Sequence, residues 1–159
     1  MRRRGLAPVL ASDARVLILG SFPSEASLAA REYYAHPRNH FWTILGGVLN
    51  EPLAELSYVA RLARVRARRI AIWDTIVACE RAGSLDADIR NAERGEIARV
   101  QRVARDLAAV CFNGRTAARG ESAWRSAGYV TLVLPSTSPA YTLPIAIKLD
   151  AWRALARWL

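Results

Sequence analysis

The sequence predicts an α/β protein, a three-layer α/β/α sandwich around a central four-stranded parallel sheet with right-handed crossovers. Two observations predict this fold: short apolar runs typical of strands buried on both faces, and stretches of helical spacing between them. The runs cover residues 15–20, 69–73, 108–112 and 129–134. A length of 159 residues without internal repeats or a linker indicates one domain over residues 1–159.

Helical patterns fill the intervals between the predicted strands. Apolar residues recur at helical spacing over residues 41–49, and Asn39 is placed to cap the amino terminus of this helix. Further helices are predicted over residues 56–65, 97–107, 116–126 and 147–159. Residues 82–94, rich in charged and small side chains, are expected to form the one long loop.

The composition excludes several classes of protein. An apolar fraction of 52% is too high for a disordered chain. No uninterrupted run reaches the roughly 18 apolar residues that a membrane span requires. The apolar stretch of residues 6–10 is too short for a signal peptide. We therefore expect a cytoplasmic protein that acts as a monomer and has no membrane partner.

The two cysteines, Cys79 and Cys111, are too few for a metal centre. An iron–sulfur cluster generally needs four thiolates, and a structural zinc ion needs four ligands. Both cysteines stand in apolar segments, which favours buried free thiols. We expect no metal, no iron–sulfur cluster and no cofactor.

The net charge of +9 comes almost wholly from arginine, because Lys148 is the only lysine. The planar guanidinium group binds phosphate through two hydrogen bonds, so such a chain is compatible with nucleic acid. A genome rich in G and C would also encode arginine wherever a surface needs solvating. Composition alone leaves these two interpretations equally open.

Polar turns follow the predicted strands at residues 20–23, 74–75, 113–114 and 135–138. Loops after parallel strands emerge at the same edge of a sheet, which is where open α/β sheets bind their ligands. Gly20 would let backbone N–H groups approach a ligand closely. Any one such turn is ordinary punctuation at a strand end. Several turns converging beside aromatic rings favour a binding site.

The segment of residues 33–42 combines rings with hydrogen-bonding groups, in the order Tyr-Tyr-Ala-His-Pro-Arg-Asn-His-Phe-Trp. The neutral amide of Asn39 offers a donor and an acceptor together, as the reading of a base edge requires. A stacked ring contributes about 1–3 kcal/mol to holding a base. Helix capping by Asn39 and core packing by the rings are the structural alternatives. The combination suggests a nucleobase pocket.

Three segments carry a family resemblance: Gly-Ser-Phe-Pro-Ser at residues 20–24, the ring-rich segment of residues 33–42, and Leu-Pro-Ser-Thr-Ser-Pro-Ala at residues 134–140. They resemble the uracil-DNA glycosylase superfamily. Within it they are most similar to the hypoxanthine-DNA glycosylase branch, close to the G:T/U mismatch-specific enzymes. Residues 73–74 and 79–86 fit the same branch. The resemblance covers roughly residues 15–152.

The resemblance implies an enzyme that flips a deaminated base, hypoxanthine or uracil, out of DNA and hydrolyses its N-glycosidic bond. It gives Asn39 and Ser21 the catalytic roles. The base would be bound by Gly20, Phe22, Pro23, Tyr34 and His36. The last segment would enter the minor groove through Ser136, Thr137, Ser138, Pro139, Ala140 and Tyr141. Tyr141 departs from the asparagine that usually ends this motif.

The expected chemistry needs little acid catalysis, because the departing base anion is delocalised and accepts hydrogen bonds well. The sequence shows no general base with an obviously tuned pKa, and this mechanism does not require one. Lys148 is expected near the C-terminal helix, away from the polar turns. No amine would then form a Schiff base, so we expect a monofunctional glycosylase.

Two other functions remain open from the residues. One is a catalytically silent module that binds nucleic acid or nucleotide on the same fold. The other, more distant, is a small hydrolase with Ser21 or Ser136 as nucleophile and His36 or His40 as base. No Gly-x-Ser-x-Gly motif supports the hydrolase.

Overall fold

A computed structural model describes residues 1–159. The strands are β1 (Arg2–Arg4), β2 (Val16–Gly20), β3 (Ile70–Asp74), β4 (Ile76–Glu80), β5 (Arg90–Arg94), β6 (Ala109–Asn113) and β7 (Val130–Leu134). The helices are α1 (Glu25–Ala30), α2 (Phe41–Leu49), α3 (Tyr58–Ala67), α4 (Ile97–Val103), α5 (Arg115–Ala118), α6 (Glu121–Ser126) and α7 (Ile145–Trp152). Short 3-10 turns cover Leu53–Glu55, Asp86–Asp88 and Arg153–Trp158. No helix has both the length and the apolar character needed to cross a membrane.

The central sheet is parallel, with the strand order β3-β2-β6-β7. Successive side chains alternate between its two faces. Ile18 and Ile72 pack in a core cluster with residues of α2, α3 and α7. Leu19 and Phe112 pack on the other side with residues of α4, α5 and α6. Helices therefore cover both faces, and the predicted three-layer α/β/α sandwich with a four-stranded parallel sheet is confirmed.

A second, antiparallel sheet has the order β1-β4-β5. It corrects the prediction of one long loop over residues 82–94, because β5 occupies the end of that segment and pairs with β4. Every residue of β5 is exposed, and β1 consists of three arginines. Neither β1 nor β5 has the apolar pattern of a buried strand. Only their pairing with β4 identifies them as strands.

The helix boundaries differ from the predicted ones where capping groups decide them. The N-cap of α2 is His40 rather than Asn39, although Asn39 Oδ1 accepts a hydrogen bond from the N–H of Phe41. Ser57 caps α3, which therefore begins later than predicted. The unpredicted α1 is capped by Ser24. The predicted helix over residues 116–126 is divided into α5 and α6, and a 3-10 turn follows α7.

Candidate active site

A cleft of about 730 Å³ opens at the carboxyl edge of the central sheet. The strand register builds its floor. Gly20, the last residue of β2, pairs with Asp74, the last residue of β3. On the other side of β2, Leu19 pairs with Phe112, so Asn113 at the end of β6 follows in register beside Gly20. The polar turns after these strands converge as the topology requires.

Twelve of the thirteen residues that the sequence predicts for the site line this cleft. They are Gly20, Ser21, Phe22, Pro23, Tyr34, His36, Asn39, Ser136, Thr137, Ser138, Ala140 and Tyr141. Pro139 is exposed and is not part of the lining. Residues as far apart in the chain as Gly20 and Tyr141 thus share one cavity, as the convergence of the polar turns at one sheet edge predicts.

A hydrogen-bond network centred on Thr137 joins the ring-rich segment, the turn after β6 and the turn after β7. Its hydroxyl donates to Asn39 Oδ1 at 2.8 Å, and its backbone N–H donates to Asn113 Oδ1 at 2.9 Å. Asn113 Nδ2 donates back to Thr137 Oγ1 at 3.0 Å. Thr137 is fully buried, so its side chain supports the network instead of facing solvent, where a DNA-contacting residue would stand.

Asn39 is held by its carbonyl oxygen alone. Oδ1 accepts from Thr137 Oγ1 and from the N–H of Phe41, at 2.8 and 3.0 Å. These two donors fix which end of the amide faces inward, because only an oxygen can accept both bonds. The Nδ2 group forms no hydrogen bond within the chain and remains available as a donor in the cleft.

The Tyr34 hydroxyl group faces the cleft, and one face of its ring packs against the core. The ring stacks on Phe41 with a centroid separation of 3.8 Å. Its hydroxyl oxygen accepts from Asn113 Nδ2 at 3.2 Å. The backbone of Tyr34 is left-handed, with φ of 55°, a conformation that non-glycine residues rarely adopt. The tight turn here aims the hydroxyl at the end of β2.

Phe22 and Pro23, two of the other predicted base-binding residues, are held in place by contacts with the core and with Arg81. Phe22 is 6% exposed and lies in a small cluster with Ile76 and Cys79. The Arg81 guanidinium covers its ring at 5.0 Å and donates to the carbonyl of Pro23 at 2.6 Å. These contacts bind the segment after β4 to the turn after β2.

The serine and histidine groups do not form a nucleophile–base pair. The Ser21 hydroxyl donates to Asp86 Oδ1 at 2.7 Å. His36 Nδ1 accepts from the N–H of Arg38, and Ser136 Oγ accepts from the N–H of Ser138. No hydrogen bond joins Ser21 or Ser136 to a histidine. The serine hydrolase alternative loses the geometry on which it depends.

Asp74 is a group in the cleft that the sequence does not predict as part of the site. It is 5% exposed, lines the cleft, and its Oδ2 has no hydrogen-bond partner in the chain. Burial, and then the negative charge of Asp86, raise the pKa of Asp74 to about 7, while Arg81 opposes the rise. The sequence alone shows no group with an obviously tuned pKa, because the burial that raises the pKa of Asp74 depends on the tertiary structure.

Gly20 makes room for this carboxyl group. A Cβ atom at Gly20 would stand 2.5 Å from Asp74 Oδ1 and 2.8 Å from the Tyr34 hydroxyl. Any side chain here would displace both groups. The position of Asp74 at a strand end was visible in the sequence, but its desolvation depends on Tyr34 and on the segment after β4, which no local pattern reveals.

Lys148 does not lie away from the polar turns, which corrects the sequence-based expectation. It is 1% exposed, and its Nζ donates to the carbonyl oxygens of Tyr141 and Ser138 at 2.7 and 3.3 Å. Burial lowers the pKa of its ammonium group. The ammonium group supports the segment 136–141 from behind and is not among the residues that line the cleft.

Both cysteines are buried and free. No group of three or more His, Cys, Asp or Glu side chains is arranged to hold a metal ion.

The family model of the uracil DNA glycosylase superfamily matches residues 7–158, so the chain belongs to this superfamily. A hypoxanthine DNA glycosylase of Methanosarcina acetivorans is 36% identical over 99% of both chains. A hypoxanthine DNA glycosylase of Methanosarcina barkeri is 33% identical over 96% of both chains. The solution NMR structure of a candidate uracil DNA glycosylase from Methanosarcina acetivorans superimposes with a TM-score of 0.86. It shares 34% identity, over 98% of this chain and 99% of that one.

Proposed function

We propose that this chain is a monofunctional DNA glycosylase that removes hypoxanthine, the deaminated form of adenine, from DNA. Membership of the superfamily and the two hypoxanthine DNA glycosylases aligned along nearly the whole chain support this function. The observation that carries this proposal is the amide of Asn39, whose Nδ2 is a free donor in the cleft at the carboxyl edge of the sheet.

The cleft suits a single extruded base. The cost of extrusion is a few kcal/mol and is lowest for a mispaired base, which favours lesions over normal nucleotides. Phe22, Tyr34 and His36 would surround the base at the sheet edge. Arg38 and Arg115 are exposed near this opening, and none of the six salt bridges uses them. Both guanidinium groups are thus free for DNA phosphates.

Asn39 would act on the departing base. Its Oδ1 is already occupied by two donors, so the side chain has no lone pair in position to accept a proton from water. Its Nδ2 can donate to a carbonyl oxygen or ring nitrogen on which negative charge develops as the glycosidic bond breaks. The fixed amide then stabilises the transition state more than the substrate.

Ser21 would act as an acceptor. Its proton is directed to Asp86, which leaves the lone pairs of Oγ for an N–H of the base or for the attacking water. The segment 136–141 would contact the minor groove through its exposed members, Pro139, Ala140 and Tyr141.

Base release without strand cleavage follows from the surroundings of Lys148. A lyase would need an amine that reaches C1′ of the flipped nucleotide, and this ammonium group is bound to two backbone carbonyls outside the cleft lining. We also propose that the protein acts as a monomer and without a metal ion.

The deciding experiment is release of free base from duplexes that carry one deoxyinosine, deoxyuridine or deoxyxanthosine. We expect release of hypoxanthine, abasic sites that break only after alkaline treatment, and no covalent adduct with borohydride. A silent binding module would bind the same duplexes and release no base. A trapped protein–DNA adduct would contradict the monofunctional mechanism.

A further inference from the structure

The floor of the cleft holds a carboxyl group that takes no part in the hydrogen-bond network around Thr137. Asp74 ends β3, lines the cleft and is 5% exposed. No N–H or O–H group of the chain donates to Oδ2. An anionic oxygen buried without a donor is costly, whereas a protonated oxygen in the same place loses much less solvation. The geometry favours the neutral carboxylic acid.

Of the two charged groups around Asp74, the one that raises its pKa has the larger effect. Asp86, on the segment after β4, raises its pKa, and Arg81 on that segment lowers it. Tyr33 and Tyr34, from the ring-rich segment, are neutral phenols whose pKa values are themselves raised by burial. Asn113 on the other side is uncharged. No cation of the chain forms a salt bridge with Asp74.

A neutral carboxylic acid in a ligand cavity can act as a general acid. We infer that Asp74 is a catalytic residue that protonates a ring nitrogen of the departing purine. This inference rests on the proposed function, because it requires that hypoxanthine be the base in the cleft. It explains why an acidic group stands where the absence of a side chain at Gly20 leaves room for it.

The reaction balances as a hydrolysis. When the bond between C1′ and N9 breaks, its electron pair stays on the purine, and the Asp74 proton moves to a ring nitrogen of that purine. The base therefore leaves as neutral hypoxanthine rather than as an anion. Water adds its oxygen to C1′ and releases one proton to solvent, from which the Asp74 carboxylate is protonated again. The products are hypoxanthine and an abasic deoxyribose.

The two donors would then have separate tasks. Asn39 Nδ2 donates a hydrogen bond without transferring a proton, whereas Asp74 transfers one. Purine nucleosides lose their base much faster once a ring nitrogen is protonated, so the acid selects for purine substrates. A pyrimidine such as uracil gains less from it.

The test is single-turnover excision of hypoxanthine from a deoxyinosine duplex between pH 5 and 9. For the wild-type protein we expect the rate to fall as pH rises beyond about 7, tenfold per pH unit at the limit. Asp74→Asn keeps the size and polarity of the side chain but has no acidic proton. It should be slower by about 100- to 10,000-fold at pH 6, with a rate independent of pH.

Two controls separate catalysis from folding and from binding. Asp88→Asn removes an exposed carboxylate in the 3-10 turn that also contains Asp86, outside the cleft lining, and should keep the wild-type pH profile. Affinity for a duplex with a non-hydrolysable 2′-fluoroarabino analogue of deoxyinosine should change less than threefold in Asp74→Asn. Thermal unfolding of each variant confirms that it is folded.

Each outcome is decisive. Wild-type excision of hypoxanthine with an equally active Asp74→Asn variant overturns the role of Asp74 and leaves the proposed function standing. A wild-type rate that rises with pH, and loses this rise in Asp74→Asn, would make Asp74 a base and contradict the acid role. A wild-type protein that releases no hypoxanthine refutes the proposed function itself, and the inference with it.

Discussion

At the scale of single residues, the side chain of Asn39 combines two tasks that mutation can separate. Asn39→Ala removes the free Nδ2 donor together with the two contacts of Oδ1 to Thr137 and Phe41. Loss of one well-aimed donor slows catalysis by about 100- to 1,000-fold. We expect this loss in single-turnover excision, with DNA affinity largely unchanged, because the amide does not contact phosphate.

Asn39→Asp is the matched control. It keeps an oxygen where Thr137 and Phe41 donate, so the melting temperature should stay near that of the wild type. It replaces the Nδ2 donor with a second oxygen, so excision should remain slow. A fast Asn39→Asp variant, or an Asn39→Ala variant that excises at the wild-type rate, would show that the donor role is wrong.

Asp74 also gives a prediction about stability. Its pKa lies near 3.8 without burial and about 7 in the folded protein. Between these pH values the folded state holds a proton that the unfolded state has released, so the free energy of unfolding decreases as pH rises through this window. Asp74→Asn avoids that loss. Its melting temperature should exceed the wild-type value by several degrees at pH 8 and by little at pH 4.

Thermal unfolding at the two pH values checks this prediction, since about 1 kcal/mol corresponds to about 2–4 °C in a chain of this size. Asp88→Asn, on the surface, should show no such dependence on pH. A gain for Asp74→Asn that is the same at pH 4 and pH 8 would mean that Asp74 titrates normally.

At the scale of elements, the segment 136–141 carries an exposed ring on a fixed backbone. The Tyr141 side chain is 47% exposed, while its carbonyl oxygen is held by Lys148 Nζ at 2.7 Å. Tyr141→Ala should therefore remove the ring and keep the shape of the turn. A ring that fills the gap left by a flipped base is worth about 1–3 kcal/mol, or about 5- to 160-fold in rate.

We expect Tyr141→Ala to slow excision from a paired duplex more than from single-stranded DNA, where no gap forms. Tyr141→Phe keeps the ring and should behave as the wild type on both substrates. Equal slowing by Tyr141→Ala on both substrates would make Tyr141 a packing residue.

The strands of the central sheet could be predicted from the sequence, and those of the small sheet could not. Burial on both faces requires apolar side chains throughout, as in Val16–Gly20 and Ile70–Asp74, and this pattern is visible locally. The exposed strand Arg90–Arg94 depends only on its backbone pairing with β4. Its sequence therefore has the character of a loop.

The site shows the same division between local and long-range information. The sequence predicts that Asn39 and the turn residues lie together, because they belong to recognisable motifs at strand ends, and all but Pro139 line the cleft. Asp74 stood at a predicted strand end, yet its raised pKa comes from burial and from Asp86, which is remote in sequence. Lys148 was misplaced because its contact with the turn depends on how α7 packs against the sheet.

At the scale of the whole molecule, the net charge of +9 should govern the affinity for DNA. If about four phosphates are contacted, the logarithm of the binding constant falls with the logarithm of salt concentration at a slope near −3.6. Fluorescence anisotropy with an undamaged duplex from low to moderate salt measures this slope. A flat dependence would mean that the arginines only solvate the surface.

Because the only lysine is buried, cleavage beside it by a protease can report local opening of the chain. A protease specific for lysine has one target bond, after Lys148, and the side chain it must grasp is enclosed beneath the turn at residues 138–141. Cleavage can proceed only from molecules in which α7 has detached, so its rate counts those openings. A bound lesion duplex that holds this turn in place should slow the cleavage. The slower cleavage would report the docking of the segment 136–141 on DNA without any label.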